Sequence, residues 1–252
     1  MGYLPIFVDV SGRHCVVIGG GDVAERKTRS LIGAGAVVTV VSPELTPGLS
    51  AMADAGAIRH LSRRYLPGDL AGDLAGGLAG EPKGVFLAFA ATGEIETERA
   101  AAVEARACGV LINVADVPEL CSFIAPAVVQ RGGLQIAVST GGASPALARK
   151  IREDLEDRFG PEYALIIDLL AASRQWLKMR EGDVNARARV LTSLMSSDLR
   201  ECIERHDLAA ADATIRRVIG ASFSELGFDR AQCDAVLAAA SSEPDSRAHE
   251  AS

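Results

Sequence analysis

Residues 16–24 read Val16-Val17-Ile18-Gly19-Gly20-Gly21-Asp22-Val23-Ala24, an apolar β-branched run that breaks into three glycines and then into a helical pattern. The loop fits Gly-x-Gly-x-x-Ala, and each small residue has a physical task. Gly19 permits the tight turn from strand to helix, Gly21 lets the backbone approach a pyrophosphate, and Ala24 keeps the helix close to the sheet. The helix start adds free amides and the positive end of its dipole. A glycine match alone would fit any tight turn. Here strand, loop, helix and a second apolar run at residues 37–41 follow in the order that dinucleotide binding demands.

Outward from this loop, short β-branched runs alternate with helical patterns as far as Val114. Strands are expected at residues 6–10, 15–18, 37–41, 58–61, 85–90 and 110–114, with helices at 23–33, 44–56 and 94–108. Such interleaving means a parallel sheet covered on both faces. Past Asp116, strands at 122–130 and 134–139 flank an Arg131-Gly132-Gly133 turn. Ser144 as N-cap and Pro145 in the first helical position then open a helix. Its Leu147, Ile151, Leu155 and Phe159 recur at four-residue spacing before Gly160 ends it. Residues 161–240 read as helix with breaks near Gly182, Asp207 and Gly220. The expected class is α/β: a Rossmann-like parallel-sheet domain over residues 1–114, a small strand-containing region over 115–160, and a helical domain over 161–240. Residues 241–252 read as a disordered tail. The Asp-Leu-Ala-Gly repeats between Asp69 and Gly80 read as a flexible surface loop.

Composition narrows the function. Of 252 residues, 48% are hydrophobic, enough for a real core. Aromatics at 4% are too sparse for a stacking platform for single-stranded nucleic acid, and a net charge of -7 advertises no polyanion partner. Any anionic ligand must be gripped by a local basic cluster. Five scattered cysteines without Cys-x-x-Cys argue against a disulfide framework or zinc ribbon, and His14, His60, His206 and His249 lack metal-ligand spacing. No basic segment leads into a long apolar run, and no stretch reaches the length of a membrane span. The expectation is a cytoplasmic protein without nucleic-acid or membrane partners and without a permanent metal.

Three further places could carry chemistry. A carboxylate that binds ribose hydroxyls is expected about 20 residues past the glycine loop. That place holds Ser42, with Glu44 two residues on and no neighbouring Arg, which points to NAD. Asn113-Val114-Ala115-Asp116 closes the last strand of the α/β region, at the edge where open α/β sheets bind ligands. Asp116 is either a general base or transient metal ligand, or a loop aspartate capping the turn before Pro118. Ser139-Thr140-Gly141-Gly142-Ala143-Ser144-Pro145 offers hydroxyls, amides and a helix start, a plausible anion nest. Arg149, Lys150 and Arg152 follow it, either as a grip for carboxylates or as the solvated side of a capped helix.

Taken together, Leu4-Pro5-Ile6-Phe7, residues 19–27, Asn113-Val114-Ala115-Asp116, Ser122-Phe123-Ile124-x-Pro126 and Ser139-Thr140-Gly141-Gly142-x-Ser144-Pro145 resemble the precorrin-2 dehydrogenase / sirohydrochlorin ferrochelatase family. That family includes the N-terminal module of bacterial siroheme synthase. The match runs from about Leu4 to Phe159, and no methyltransferase module follows, as in a stand-alone form. The resemblance implies NAD-dependent oxidation of precorrin-2 to sirohydrochlorin and, in some members, insertion of Fe2+ to give siroheme. It implies a homodimer that exchanges the strands and helices of its middle region, so that residues 115–160 become a dimerisation and active-site region. By the same resemblance Asp116 is the essential residue, and Gly21, Asp22, Val23, Pro43, Glu44 and Thr92 contact the cofactor beside Gly19 and Ser42. Asn113, Ser122, Ser139 and Thr140 join Arg149, Lys150 and Arg152 as the substrate-binding set. The residues alone also allow another NAD enzyme on this fold, or a nucleotide-sensing module without catalysis.

Overall fold

A computed structural model describes residues 2–72 and 84–242, the side chains as far as residue 240. Most of the Asp-Leu-Ala-Gly repeat and nearly all of the tail lie outside the described residues. The chain divides into two compact units that meet between Ala125 and Pro126.

The first unit is built on β1 (His14–Ile18), α1 (Asp22–Gly33), β2 (Val37–Val41), α2 (Pro47–Asp54), β3 (Arg59–Leu61), β4 (Leu87–Ala90), α3 (Ile95–Cys108) and β5 (Leu111–Val114). Its five strands pair in parallel in the order β3-β2-β1-β4-β5. Alternation along β1 divides the core. Cys15 and Val17 pack with Ala24, Leu31, Val38, Val40 and Leu49 on one face. Val16 and Ile18 pack with Ala88, Ala90 and the wholly buried Ala101, Ala102 and Ala105 of α3 on the other. Alanines let that helix lie close to the sheet.

Two sequence expectations shift here. Residues 6–10 are not a strand: β1, which would be their hairpin partner, already has β2 on one side and β4 on the other. Only Val10 of this run reaches the core, while Ile6 and Phe7 stay 67% and 71% exposed. The sequence reading ended the first domain at Val114; the compact unit runs on to Ala125. Residues 115–125 fold back onto β5, with Ser122 bonded to both backbone groups of Ile112. The Cys121 thiol lies within hydrogen-bond reach of the backbone of Val114.

In the second unit β6 (Ala127–Arg131) and β7 (Leu134–Val138) form a two-stranded antiparallel hairpin, shorter than the run expected from residue 122. α4 (Pro145–Arg158) is capped by Ser144, whose hydroxyl accepts from the Leu147 amide at 3.2 Å. α5 (Glu162–Arg180), α6 (Val184–Met195), α7 (Leu199–Glu204), α8 (Leu208–Ile219) and α9 (Arg230–Ser242) then enclose an apolar core around Leu165, Leu169, Leu194, Ile203 and Ile215. No described helix is long and apolar enough to cross a membrane.

A dinucleotide cleft and its candidate catalytic edge

The glycine loop is held from both sides by backbone hydrogen bonds. Gly19 N–H donates to Val41 O at 2.9 Å, Thr46 N–H to Gly20 O at 2.9 Å, and Ala91 N–H to Ile18 O at 2.8 Å. Two of its glycines are packed so closely that no side chain fits. A Cβ on Gly19, whose φ is +123°, would lie 2.2 Å from Ala91 O, and one on Gly20 would lie 1.9 Å from Glu44 O. Gly21 is different: a Cβ there meets nothing within 4 Å. It is the N-cap of α1 and supplies no side-chain acceptor, so the first-turn amides keep their donors for a ligand.

Above this loop lies a cleft of about 450 Å³. Gly19, Gly20 and Gly21, then Ser42, Pro43, Glu44 and Thr46, and Thr92, Glu94 and Thr97 line it, with Arg64 and Tyr65. It sits at the carboxyl edge of the sheet, where β1 has β2 on one side and β4 on the other, the switch point at which doubly wound sheets bind nucleotides. Gly19, Gly21, Ser42, Pro43, Glu44 and Thr92 therefore converge on one cleft, with Asp22 and Val23 in the adjoining first turn of α1. The Ser42 hydroxyl is spent internally, donating to Glu44 O at 2.6 Å, so Glu44 is the carboxylate left at the end of β2. A dinucleotide fits this cradle by the open α-carbon of Gly21 and the side-chain-free cap.

Sequence reasoning missed the supports of the far wall. Glu98 is buried in α3, and its carboxylate accepts from the Thr92 and Gly93 amides, both at 3.1 Å, and from the Thr92 hydroxyl. It thereby fixes the loop that carries Thr92. Glu104 accepts from the Tyr65 hydroxyl and from the amides of Gly68, Leu70 and Ala71. Burial alone would raise the Glu104 carboxyl, but these donors outweigh it and hold it below the ordinary carboxylate range. Both acids lie on α3, and no motif in the sequence marks them.

Beyond the cleft, Asp116 follows β5 in the left-handed region, with φ +59°, and is exposed. Non-glycine residues adopt that conformation rarely, aspartate among the more tolerant, and such strain recurs at functional sites. The Asn113 amide donates to Phe123 O at 3.1 Å, and Ser122 is bonded to Ile112. Their polar groups pin the loop that presents Asp116.

The remaining candidates belong to the second unit. Ser139 Oγ accepts from the Gly141 amide at 3.1 Å, while Thr140 Oγ1 donates to Ser144 O and accepts from its amide, both at 3.0 Å. Each of the three clustered basic residues of α4 has an acid one turn on: Arg149 with Glu153 at 3.2 Å, Lys150 with Asp154 at 2.8 Å, Arg152 with Glu156 at 2.6 Å. The Arg152 side chain is only 1% exposed, so Arg149 and Lys150 are the members of the cluster that reach solvent.

With this geometry in place, the chain can be set beside known proteins. Residues 6–127 match a family model described as NAD(P)-binding, and residues 131–158 match one described as sirohaem biosynthesis protein central. A siroheme synthase of Chromobacterium violaceum is 37% identical over 245 residues, covering 97% of this chain and 49% of that protein. The chain resembles one half of a siroheme synthase. Another siroheme synthase, from Methylobacillus flagellatus, is 42% identical over 177 residues, covering 70% of this chain and 35% of its own length. Siroheme synthase 1 of Aeromonas salmonicida is 36% identical over 213 residues, covering 84% and 43%. The chain thus spans about half the length, or less, of these curated relatives. A solved structure titled SirC, precorrin-2 dehydrogenase, shares the fold with TM-score 0.64 and 24% identity, over 84% of this chain and all of that one. The first unit is accordingly the nicotinamide-dinucleotide-binding part of the chain.

Proposed function

We propose that the chain oxidises precorrin-2 to sirohydrochlorin with NAD as acceptor, a step of siroheme synthesis in the cytoplasm. One observation carries this reading: an NAD(P)-binding segment and a sirohaem central segment stand in tandem on one chain. The cleft supports the cofactor half. The amides of Gly21, Asp22 and Val23 would hold the pyrophosphate, Gly19 makes the tight turn that presents them, Glu44 would accept from the ribose hydroxyls, and Ser42, Pro43 and Thr92 shape the walls. A carboxylate at Glu44, with no cation in residues 42–44, disfavours a 2′-phosphate and so favours NAD over NADP. When bound, the nicotinamide supplies the hydride acceptor.

The chain's own residues do the rest. Oxidation removes one hydride and one proton from the macrocycle, and Asp116 takes the proton as general base. Asn113 and Ser122 keep its loop in place beside the substrate, and Ser139 and Thr140 shape the anion-binding turn. Arg149 and Lys150 exchange their acidic partners for substrate carboxylates, with Arg152 beneath them; exposed pairs of this kind are worth only about 0–1 kcal/mol, so the exchange is cheap. Fe2+ insertion into sirohydrochlorin is proposed as a second step, with Fe2+ as substrate and Asp116 accepting pyrrole protons. Among the described residues, no group of three or more His, Cys, Asp or Glu could hold a metal ion.

Parallel anaerobic assays with precorrin-2 and either NAD or NADP test the reading. Reduction of NAD is expected to outpace that of NADP, and turnover with neither would defeat it. Double substitution of Arg149 and Lys150 by Ala is expected to weaken tetrapyrrole binding by about 1–3 kcal/mol per lost contact. NAD affinity should stay unchanged, as titration of each ligand would show. A homodimer is also part of the proposal. The β6–β7 hairpin pairs with no further described strand, and Leu4, Ile6 and Phe7 expose apolar surface. Light scattering should give twice the chain mass, and a monomer at micromolar concentration would contradict it.

A further inference from the structure

Among the described residues that line the cleft, Arg64 is the only cation, against the carboxylates of Glu44 and Glu94. It stands just past β3, on the opposite wall from the N-cap of α3. Its side chain is 72% exposed and spans the cleft mouth to Glu94, with Arg64 Nη1 2.9 Å from a carboxylate oxygen. Glu94 is itself that N-cap, and its carboxylate also accepts from the Thr97 hydroxyl at 3.2 Å. Left as it stands, the mouth is electrostatically wrong for its ligand. A dinucleotide brings at least two phosphate charges to side chains that sum to about one negative charge, and the only guanidinium is already neutralised.

We propose that Arg64 is a phosphate ligand of the bound dinucleotide, held in reserve by Glu94 until the cofactor enters. The inference rests on the cofactor-site reading above and gives that site a residue the glycine loop does not supply. An exposed ion pair is weak enough to be exchanged, whereas a guanidinium on a phosphate makes a charge-assisted, often bidentate contact. Glu94 then competes with the cofactor for one cation, so the two residues must have opposite effects on affinity. The phosphate is either the pyrophosphate or a 2′-phosphate. Preference for NAD makes it the pyrophosphate.

Calorimetric titration of NAD, NADP and adenosine into wild type, Arg64→Gln, Glu94→Gln and the double variant separates these cases. Arg64→Gln is expected to weaken NAD and NADP about tenfold or more, the scale of a charged hydrogen bond, and to leave adenosine unaffected. Glu94→Gln should tighten both dinucleotides by up to about fivefold, and should do nothing when Arg64 is already replaced. Equal losses for NAD and NADP assign Arg64 to the pyrophosphate; a loss confined to NADP assigns it to the 2′-phosphate. Either supports a phosphate ligand. Wild-type affinities in Arg64→Gln would overturn the proposal, as would an equal loss for adenosine, and weaker binding by Glu94→Gln would overturn the competition. Wild type that binds neither dinucleotide would instead defeat the cofactor-site reading on which it rests.

Discussion

Gly21→Asp is expected to yield a folded protein that no longer binds NAD. The fold should survive because a Cβ at this position meets nothing within 4 Å, unlike one at Gly19 or Gly20. The carboxylate would stand at the N-cap of α1 and accept from the same first-turn amides that the pyrophosphate needs. It therefore acts twice, filling the closest backbone approach and repelling the phosphates. An aspartate N-cap favours a helix, so the melting temperature should hold or rise while affinity disappears. Titration with NAD alongside a thermal melt separates the two effects. Unchanged NAD affinity in the folded variant would remove the glycine loop from the cofactor site.

Asp116→Ala should do the reverse, binding both ligands and losing the chemistry. Removal of a positioned general base typically costs about 10²–10⁴-fold in rate. Alanine also tolerates φ +59° less well than aspartate, so a small loss of stability should accompany it. Asp116→Asn keeps that tolerance and removes the charge. Both variants losing turnover, with only Ala losing stability, would assign the effect to the carboxylate. If sirohydrochlorin supplied with Fe2+ is still metallated by Asp116→Asn, the base for chelation lies elsewhere. Wild-type oxidation rates in both would return Asp116 to a turn-capping role.

What the sequence disclosed follows from how local the physics is. The glycine loop was readable because its demands are steric and contiguous: Gly19 and Gly20 lie against backbone supplied by the ends of β4 and β2, and any side chain would collide. The parallel sheet was implied by the alternation of strands and helices. The run at residues 6–10 misled because a β-branched pattern reports extended preference, not whether a partner edge is free. Arg64 and Glu94 were invisible for the opposite reason. They are 30 residues apart, and only the crossing from β3 to β4 brings them to one mouth. Spacing placed Arg149 and Arg152 on one helix face but could not say which face turns inward, and Arg152 proves buried. The φ of Asp116 leaves no mark in composition at all.

The central claim is that this chain couples one two-electron oxidation of precorrin-2 to one nicotinamide dinucleotide. The most direct measurement is an anaerobic single-turnover experiment with excess chain, precorrin-2 and NAD, following the absorbance of sirohydrochlorin and NADH together. One NADH should appear per sirohydrochlorin, at the same rate, and neither should form with Gly21→Asp. Sirohydrochlorin formed without NADH, or precorrin-2 left unchanged by a chain that binds NAD, would contradict the account.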